Sequence, residues 1–229
     1  LKSRLKHAAG RGDPSRKQGR ILSTLSLLDA ATMLGDEARM WPEGSLFRAT
    51  GLRDAAMVAL LALLPMRRRA LASLRLGESI LVGDDRITVA LSGALTKTGV
   101  PWEADVPPQS DPFLRAYLAE ARPVLAARGR GKDTSLWLDR TGKRMSENYL
   151  GSRIGGATLR MTGVRVPPHF FRDSAATTLV RISPEAAKLI SSVLGHKGPG
   201  TAERHYIHAQ SIEAGRDYAA LIASRKGRR

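Results

Sequence analysis

Residues 194–206, LGHKGPGTAERHY, decide how the rest of the chain is read. Gly195 stands where a helix commonly ends, and His196 falls on the exposed turn just past it. Residues 197–200, KGPG, are too rich in glycine and proline to continue a helix. Thr201 reads as an N-cap, and the short helix it opens carries Tyr206. A loop followed by a helix presents a histidine and a tyrosine to one space without burying either. Upstream, HFFR at 169–172 sets His169 and Arg172 three residues apart, on one face of a helix.

The whole chain must then accommodate these motifs. Its 229 residues suffice for one large domain with an appendage. There is no cysteine, which excludes disulfides, thiolate–metal sites and cysteine catalysis and suits a reducing compartment. The longest apolar run, residues 55–66, is shorter than the roughly 20 residues a bilayer needs, so it reads as a buried helix. The first twenty residues are basic and lack the apolar stretch of a signal peptide. The chain opens on Leu1, which reads as a fragment or a processed form. The formal net charge is +16. Residues 1–20 hold seven Lys/Arg against one Asp, and residues 225–229 add four more, so most of the excess sits in the two ends. Basic ends fit a polyanion, because each neutralised phosphate releases counterions, but solvated tails explain them equally well. Only a site in the body can decide between the two.

In chain order, residues 1–20 lack apolar periodicity and contain GRGDP, so they read as a basic linker, the end of a further N-terminal domain. Ser23 caps a helix over 23–38, residues 41–51 form a loop, and a long apolar helix runs from about 52 to Pro65. Residues 80–82 and 87–91 form a hairpin around Gly83-Asp84-Asp85. A TKTG turn at 96–99 leads to a third strand over 102–106, with Lys97 at the hairpin tip. Asp111-Pro112 opens a helix that Pro123 kinks or ends. A short strand at 136–138, a turn at DRTGK and a helix from Ser146 to about 161 follow. Pro168 opens a helix to about 180, residues 183–185 open one that Gly195 ends, and a last amphipathic helix covers 211–223. The expected fold class is α+β, predominantly helical, with a small antiparallel three-stranded sheet. One domain covers 21–224, and 225–229 is a basic tail.

Taken singly, each candidate residue has an ordinary explanation. A pair such as His169 and Arg172 can be surface decoration, and His196 can be a solvated loop histidine. Tyr206 can be a packing residue, and Lys97 a solvating hairpin lysine. Arg67 closes an apolar helix, where a cation suits the helix dipole. Together they form the set needed to transfer a phosphodiester without metal. The non-bridging oxygens need rigid, permanently charged forks, which arginine supplies. Tyrosine, with a pKa of about 10, must lose its proton as it attacks, and a histidine is the natural base. The departing 5′-alkoxide needs a proton, which a hairpin-tip lysine can bring.

These motifs resemble the catalytic domain of the tyrosine recombinases, or phage-type integrases. The family order is Arg, Lys, HxxR, LGH, Tyr, with the lysine on a β-hairpin. Here it stands as LPMRRRALASL, LTKTG, HFFR, LGH and HY, across roughly residues 20–224. The resemblance implies the DNA breaking–rejoining catalytic fold and Tyr206 as nucleophile, giving a 3′-phosphotyrosyl link. It further implies Arg67 and Arg172 as phosphate clamps, His169 as base or proton relay, His196 as a hydrogen-bond donor and Lys97 as general acid. No metal or cofactor is implied. The implied partner is double-stranded DNA, bound as a homo-oligomer, dimer to tetramer, in the bacterial or phage cytoplasm on the nucleoid. Two positions depart from the family pattern. Ala70 stands where an acid often follows the first arginine, and Asp173 stands where histidine often follows Arg172.

Residues 211–223 carry an apolar stripe of Ile212, Gly215, Ala219 and Ile222, widened by Tyr218 and Leu221. It either folds back on its own domain or, as in the family, docks on a neighbouring protomer. Should Tyr206 not be the nucleophile, Tyr218 is next in line. Four other readings remain: a type IB topoisomerase, a DNA-binding accessory protein weakened at Ala70 and Asp173, a basic structural protein of a nucleoprotein particle, and a metal site at His205 and His208 beside Glu203.

Overall fold

A buried 18-residue helix organises the computed structural model of the chain, which describes residues 19–96, 99–129, 133–194 and 203–226. For residues 184, 187, 191, 192 and 203–214 only the backbone is described. Helix α1 (Thr24–Arg39) is capped by Ser23, whose hydroxyl accepts from the Ser26 amide. Helix α2 (Leu46–Leu63) crosses it and is the buried helix. It starts six residues before the expected Leu52, because Ser45 caps it by accepting from the Arg48 amide. Gly51, read as a loop residue, lies inside this helix. A Cβ there would come within 2.6 Å of the Ala38 Cβ, so glycine is what lets the two helices touch.

From Ala55 to Leu64 every side chain of α2 and its cap is at most 2 % exposed. A helix buried on all sides needs neighbours on all sides, and the rest of the fold supplies them. Burial of each leucine there contributes about 1.5–3 kcal/mol. Pro65 then ends the helix by excluding Leu64 from helical angles, and Leu64 takes φ −115, ψ 76. A short helix α3 (Arg68–Ala72) follows.

The sheet is as expected: β1 (Ile80–Val82), β2 (Ile87–Leu91) and β3 (Trp102–Asp105) are antiparallel in the order β1-β2-β3. Its alternation buries Ile87, Val89 and Leu91 against the helices. Helix α4 (Asp111–Ala116) passes through a π-turn over residues 117–121 into α5 (Arg122–Ala126). Pro123, lacking an amide proton, breaks the regular ladder there. The expected strand at 136–138 is reduced to isolated bridges, Arg75 with Ser135 and Leu138 with Arg144. Asp139 closes the DRTGK turn by accepting from the Thr141 and Lys143 amides.

Helix α6 (Glu147–Thr162) is capped by Ser146 and ends on Gly163 in the left-handed conformation, and α7 (Pro168–Ile182) follows. The single helix expected after Ser183 is two short ones, α8 (Pro184–Ala187) and α9 (Ile190–Val193). Gly195, the loop at 197–200 and Thr201 lie outside the described residues, as do the basic segments 1–18 and 227–229.

The two helices expected at the C-terminal end are one, α10 (Glu203–Lys226). Its only glycine is Gly215, which a helix tolerates at about 1 kcal/mol. The stripe read as a possible protomer contact packs on the chain's own domain over its described part: Tyr218, Ala219 and Ile222 are buried. The Tyr218 hydroxyl meets Thr24 Oγ1 and donates to the Ala62 carbonyl, and Arg216 donates to Asp105 at 2.8 Å. Over its described part this face packs in cis, the first of the two arrangements the sequence left open. Among the described residues, no helix is long and apolar enough to cross a membrane.

Candidate active site

One side chain ties together the segments next to Arg67 and His196 and the helix that carries His169. Arg172, half-buried on α7, donates from Nη1 to the Pro65 carbonyl at 2.8 Å and from Nη2 to the Leu194 carbonyl at 2.7 Å. Pro65 lies two residues before Arg67, and Leu194 two before His196. A planar guanidinium can hold two such carbonyls at fixed separation, which a lysine ammonium cannot do.

Arg67 sits at the N-cap of α3, with φ −69, ψ 147 and no capping bond from its side chain. That differs from the expected place at the end of the apolar helix. A cation gains nothing from a helix dipole at an N-terminus, so the dipole does not account for Arg67. The half-buried guanidinium acts on Arg172 instead. Burial first, and then the charge of Arg67, push the Arg172 pKa down to about 10, while Asp173 pulls it back up. Arg172 stays charged at neutral pH, and the shift reflects first its partial burial and then the Arg67 charge, partly offset by Asp173. An anion lodged there favours the charged form. A phosphate diester, with two exposed oxygens and one negative charge, has the chemistry to do so.

His169 stands in the first turn of α7, exposed, its ring edge-on to Phe170 at 4.4 Å between centroids. It shares a helix face with Arg172, one turn away. Ala70 is buried in the core at 2 % exposure, so the position that often holds an acid in the family is a packing position here. Lys97 lies outside the described residues, within the connection between β2 and β3. The Thr96 hydroxyl donates to the Val100 carbonyl at 2.8 Å across that connection. His196 also lies outside them. The Tyr206 backbone is in α10, but its side chain is outside the description, as are those of His205 and His208. Among the described residues, no group of three His, Asp or Glu could hold a metal. Tyr218 cannot stand in for Tyr206: it is fully buried, and burial pushes its phenol well above the ordinary value.

Two features escaped the sequence reading. The backbone carbonyls of Pro65 and Leu194 carry no residue signature at all. Arg53 and Asp54 are an adjacent opposite pair just before the apolar run at 55–66, and the sequence reading gave them no role. The helix starts at Leu46, not near 52, and both side chains lie in its buried interior. Arg53 closes a two-pronged contact on Asp54 at 3.0 and 2.8 Å and donates to the Leu138 carbonyl at 2.9 Å. Asp54 also accepts from Arg153.

The geometry is that of a mostly helical α+β domain in which Arg172 bridges the Pro65 and Leu194 carbonyls, with the charge of Arg67 acting on it. The Phage integrase family model matches residues 42–212, about three quarters of the chain. The chain belongs to the phage integrase family. It is similar to the tyrosine recombinase XerC of Azotobacter vinelandii, 29% identical over 159 residues, covering 68% of this chain and 51% of the relative. Two solved structures of the XerH site-specific recombinase share its fold. The complex with difH substrate before cleavage has a TM-score of 0.55 at 16% identity, covering 83% of this chain and 50% of the other. The complex with palindromic difH after cleavage has a TM-score of 0.56 at 16% identity, covering 89% and 54%. The fold is thus the tyrosine recombinase fold. The chain spans about half the length of the relatives it matches.

Proposed function

We propose that the chain cuts and rejoins DNA as a tyrosine-type site-specific recombinase. The observation that carries this reading is the Arg67–Arg172 pair, bound by Arg172 to the strand of chain that leads into His196. Membership of the family and the DNA named in the XerH complexes support it. The Tyr206 oxygen attacks the scissile phosphorus, and the bond to the 5′ oxygen breaks. The phenolic proton passes to His169, and Lys97 gives a proton to the leaving 5′ oxygen. Arg67 and Arg172 hold the non-bridging oxygens and favour the charge that develops on them, and His196 adds a donor. The product is a 3′-phosphotyrosyl link. A 5′-hydroxyl from another strand reverses the step, and since one ester replaces a similar one, no nucleotide is consumed.

The partner on this reading is double-stranded DNA, engaged in the cytoplasm on the nucleoid, with the basic ends adding affinity along the backbone. Assembly on DNA as a dimer or tetramer is part of the proposal, through surfaces other than the Tyr218–Ile222 face that the domain itself occupies.

The test uses a randomised duplex pool, 5′-labelled and nicked just 3′ of the candidate positions, so that the freed fragment diffuses away. A labelled protein–DNA adduct on a denaturing gel is the expected product. Tyr206→Phe should abolish it while leaving DNA affinity within about threefold, since the hydroxyl does the chemistry and little of the binding. DNA binding without any wild-type adduct would favour the accessory-protein reading, for which Ala70 and Asp173 speak.

A further inference from the structure

The end of the basic segment is seated on the first turn of the helix that carries His169. Arg20 places its guanidinium carbon 5.0 Å from the centre of the Phe170 ring. The same ring, part of the buried core, also meets the His169 imidazole at 4.4 Å between centroids. Arg20 Nη2 also reaches the Arg165 carbonyl at 3.5 Å, in the loop just before α7. Four residues on, the Thr24 amide donates to Thr178 Oγ1 at 3.0 Å, two turns further along the same helix. Eight residues of helix rise about 12 Å, and four residues of chain reach at most about 14 Å. The segment from 20 to 24 therefore lies along α7 instead of looping away from it.

We propose that Arg20 is a positioning residue for His169, through Phe170. The contact has the composition for it: a guanidinium over an aromatic face is attracted by the ring's quadrupole even at an exposed site. Phe170 is 5 % exposed, and Arg20 covers it from the solvent side. With that cover gone, both the ring and the loop at Arg165 lose a restraint, and the exposed His169 loses the fixed surface against which its ring rests. Because residues 1–20 carry seven cations, their engagement with DNA bears directly on Arg20. The same contact thereby links binding of the basic segment to the geometry of the reacting site.

This inference rests on the recombinase reading for the role of His169, but not for the contact. The experiment uses the full chain. Rates of adduct formation are measured at saturating nicked duplex, and the ring signals of His169 are followed by NMR without DNA. Only five histidines are present, so His169→Gln assigns the signals. Arg20→Ala should slow adduct formation about tenfold at saturation, as small misplacements of a reacting group do. DNA affinity should stay within about threefold, and the His169 signals should move. Arg20→Lys, which keeps a cation over the ring, should restore the rate to within about threefold and the signals to near their wild-type places. An Arg20→Ala protein weakened only in affinity would make Arg20 a phosphate contact and overturn the proposal. Unmoved His169 signals would overturn it as well. Should the wild type form no adduct, the recombinase reading falls, while the His169 signals still decide whether Arg20 positions that ring.

Discussion

Arg53 and Arg172 are each withdrawn from solvent and bonded to main-chain carbonyls, yet they stand in different electrostatic surroundings. The Arg53 fork closes on Asp54, both buried in the core, and the second Asp54 oxygen takes Arg153, which reaches in from a partly exposed position on α6. Arg172 has both signs nearby: burial and the Arg67 guanidinium lower its pKa, and Asp173 raises it, with the net shift downward. An ion pair completed inside the protein is structure, since its charge is already answered. A cation held beside another cation invites an anion from outside. Arginine content alone does not distinguish the two; the surrounding charges do.

The largest effect expected on this contrast is at Asp54. Asp54→Ala leaves Arg53 in the core without its carboxylate, which should cost about 3–5 kcal/mol in urea unfolding. The rate of adduct formation at saturating DNA should be unchanged in the protein that remains folded. A loss below about 1 kcal/mol would mean that Arg53 finds water, and the contrast would fail on its structural side.

Next comes Arg172→Lys, which keeps the charge but not the fork. Adduct formation should slow by about a hundred- to a thousandfold. Unfolding free energy should change by about 1 kcal/mol, the worth of one or two exchanged hydrogen bonds. A variant as unstable as Asp54→Ala but normal in rate would make Arg172 a structural residue like Arg53.

The smallest effect separates the two tyrosines of α10. Tyr218→Phe removes a hydroxyl that meets Thr24 and Ala62 and should cost about 1–2 kcal/mol of stability, with adduct formation intact. Loss of the adduct in this variant, at normal stability, would return Tyr218 to the list of nucleophiles.

Much of the fold was legible in the sequence where local rules act alone. Ser23 and Ser146 mark their helices because a side-chain oxygen answers an amide three residues on. The strands at 80–82 and 87–91 follow from alternation and a turn. The start of α2 was missed because Gly51 looks like a loop residue until Ala38 is brought against it. The C-terminal helix was cut in two because Tyr206 was read with its loop, and the amphipathic stripe was read separately.

Of the candidate site, the sequence by itself determined the residue types, their order and their helical spacing. HFFR puts His169 and Arg172 on one face because 3.6 residues make a turn, whatever surrounds the helix. Tertiary structure alone decided that Arg172 reaches the Pro65 and Leu194 carbonyls, residues 107 and 22 positions away. It alone set Arg67 beside Arg172, drew Arg20 onto Phe170 and buried Tyr218 under α1. Hydrogen bonds and charges act over a few ångströms of space, and only the packed chain converts long sequence separations into such distances.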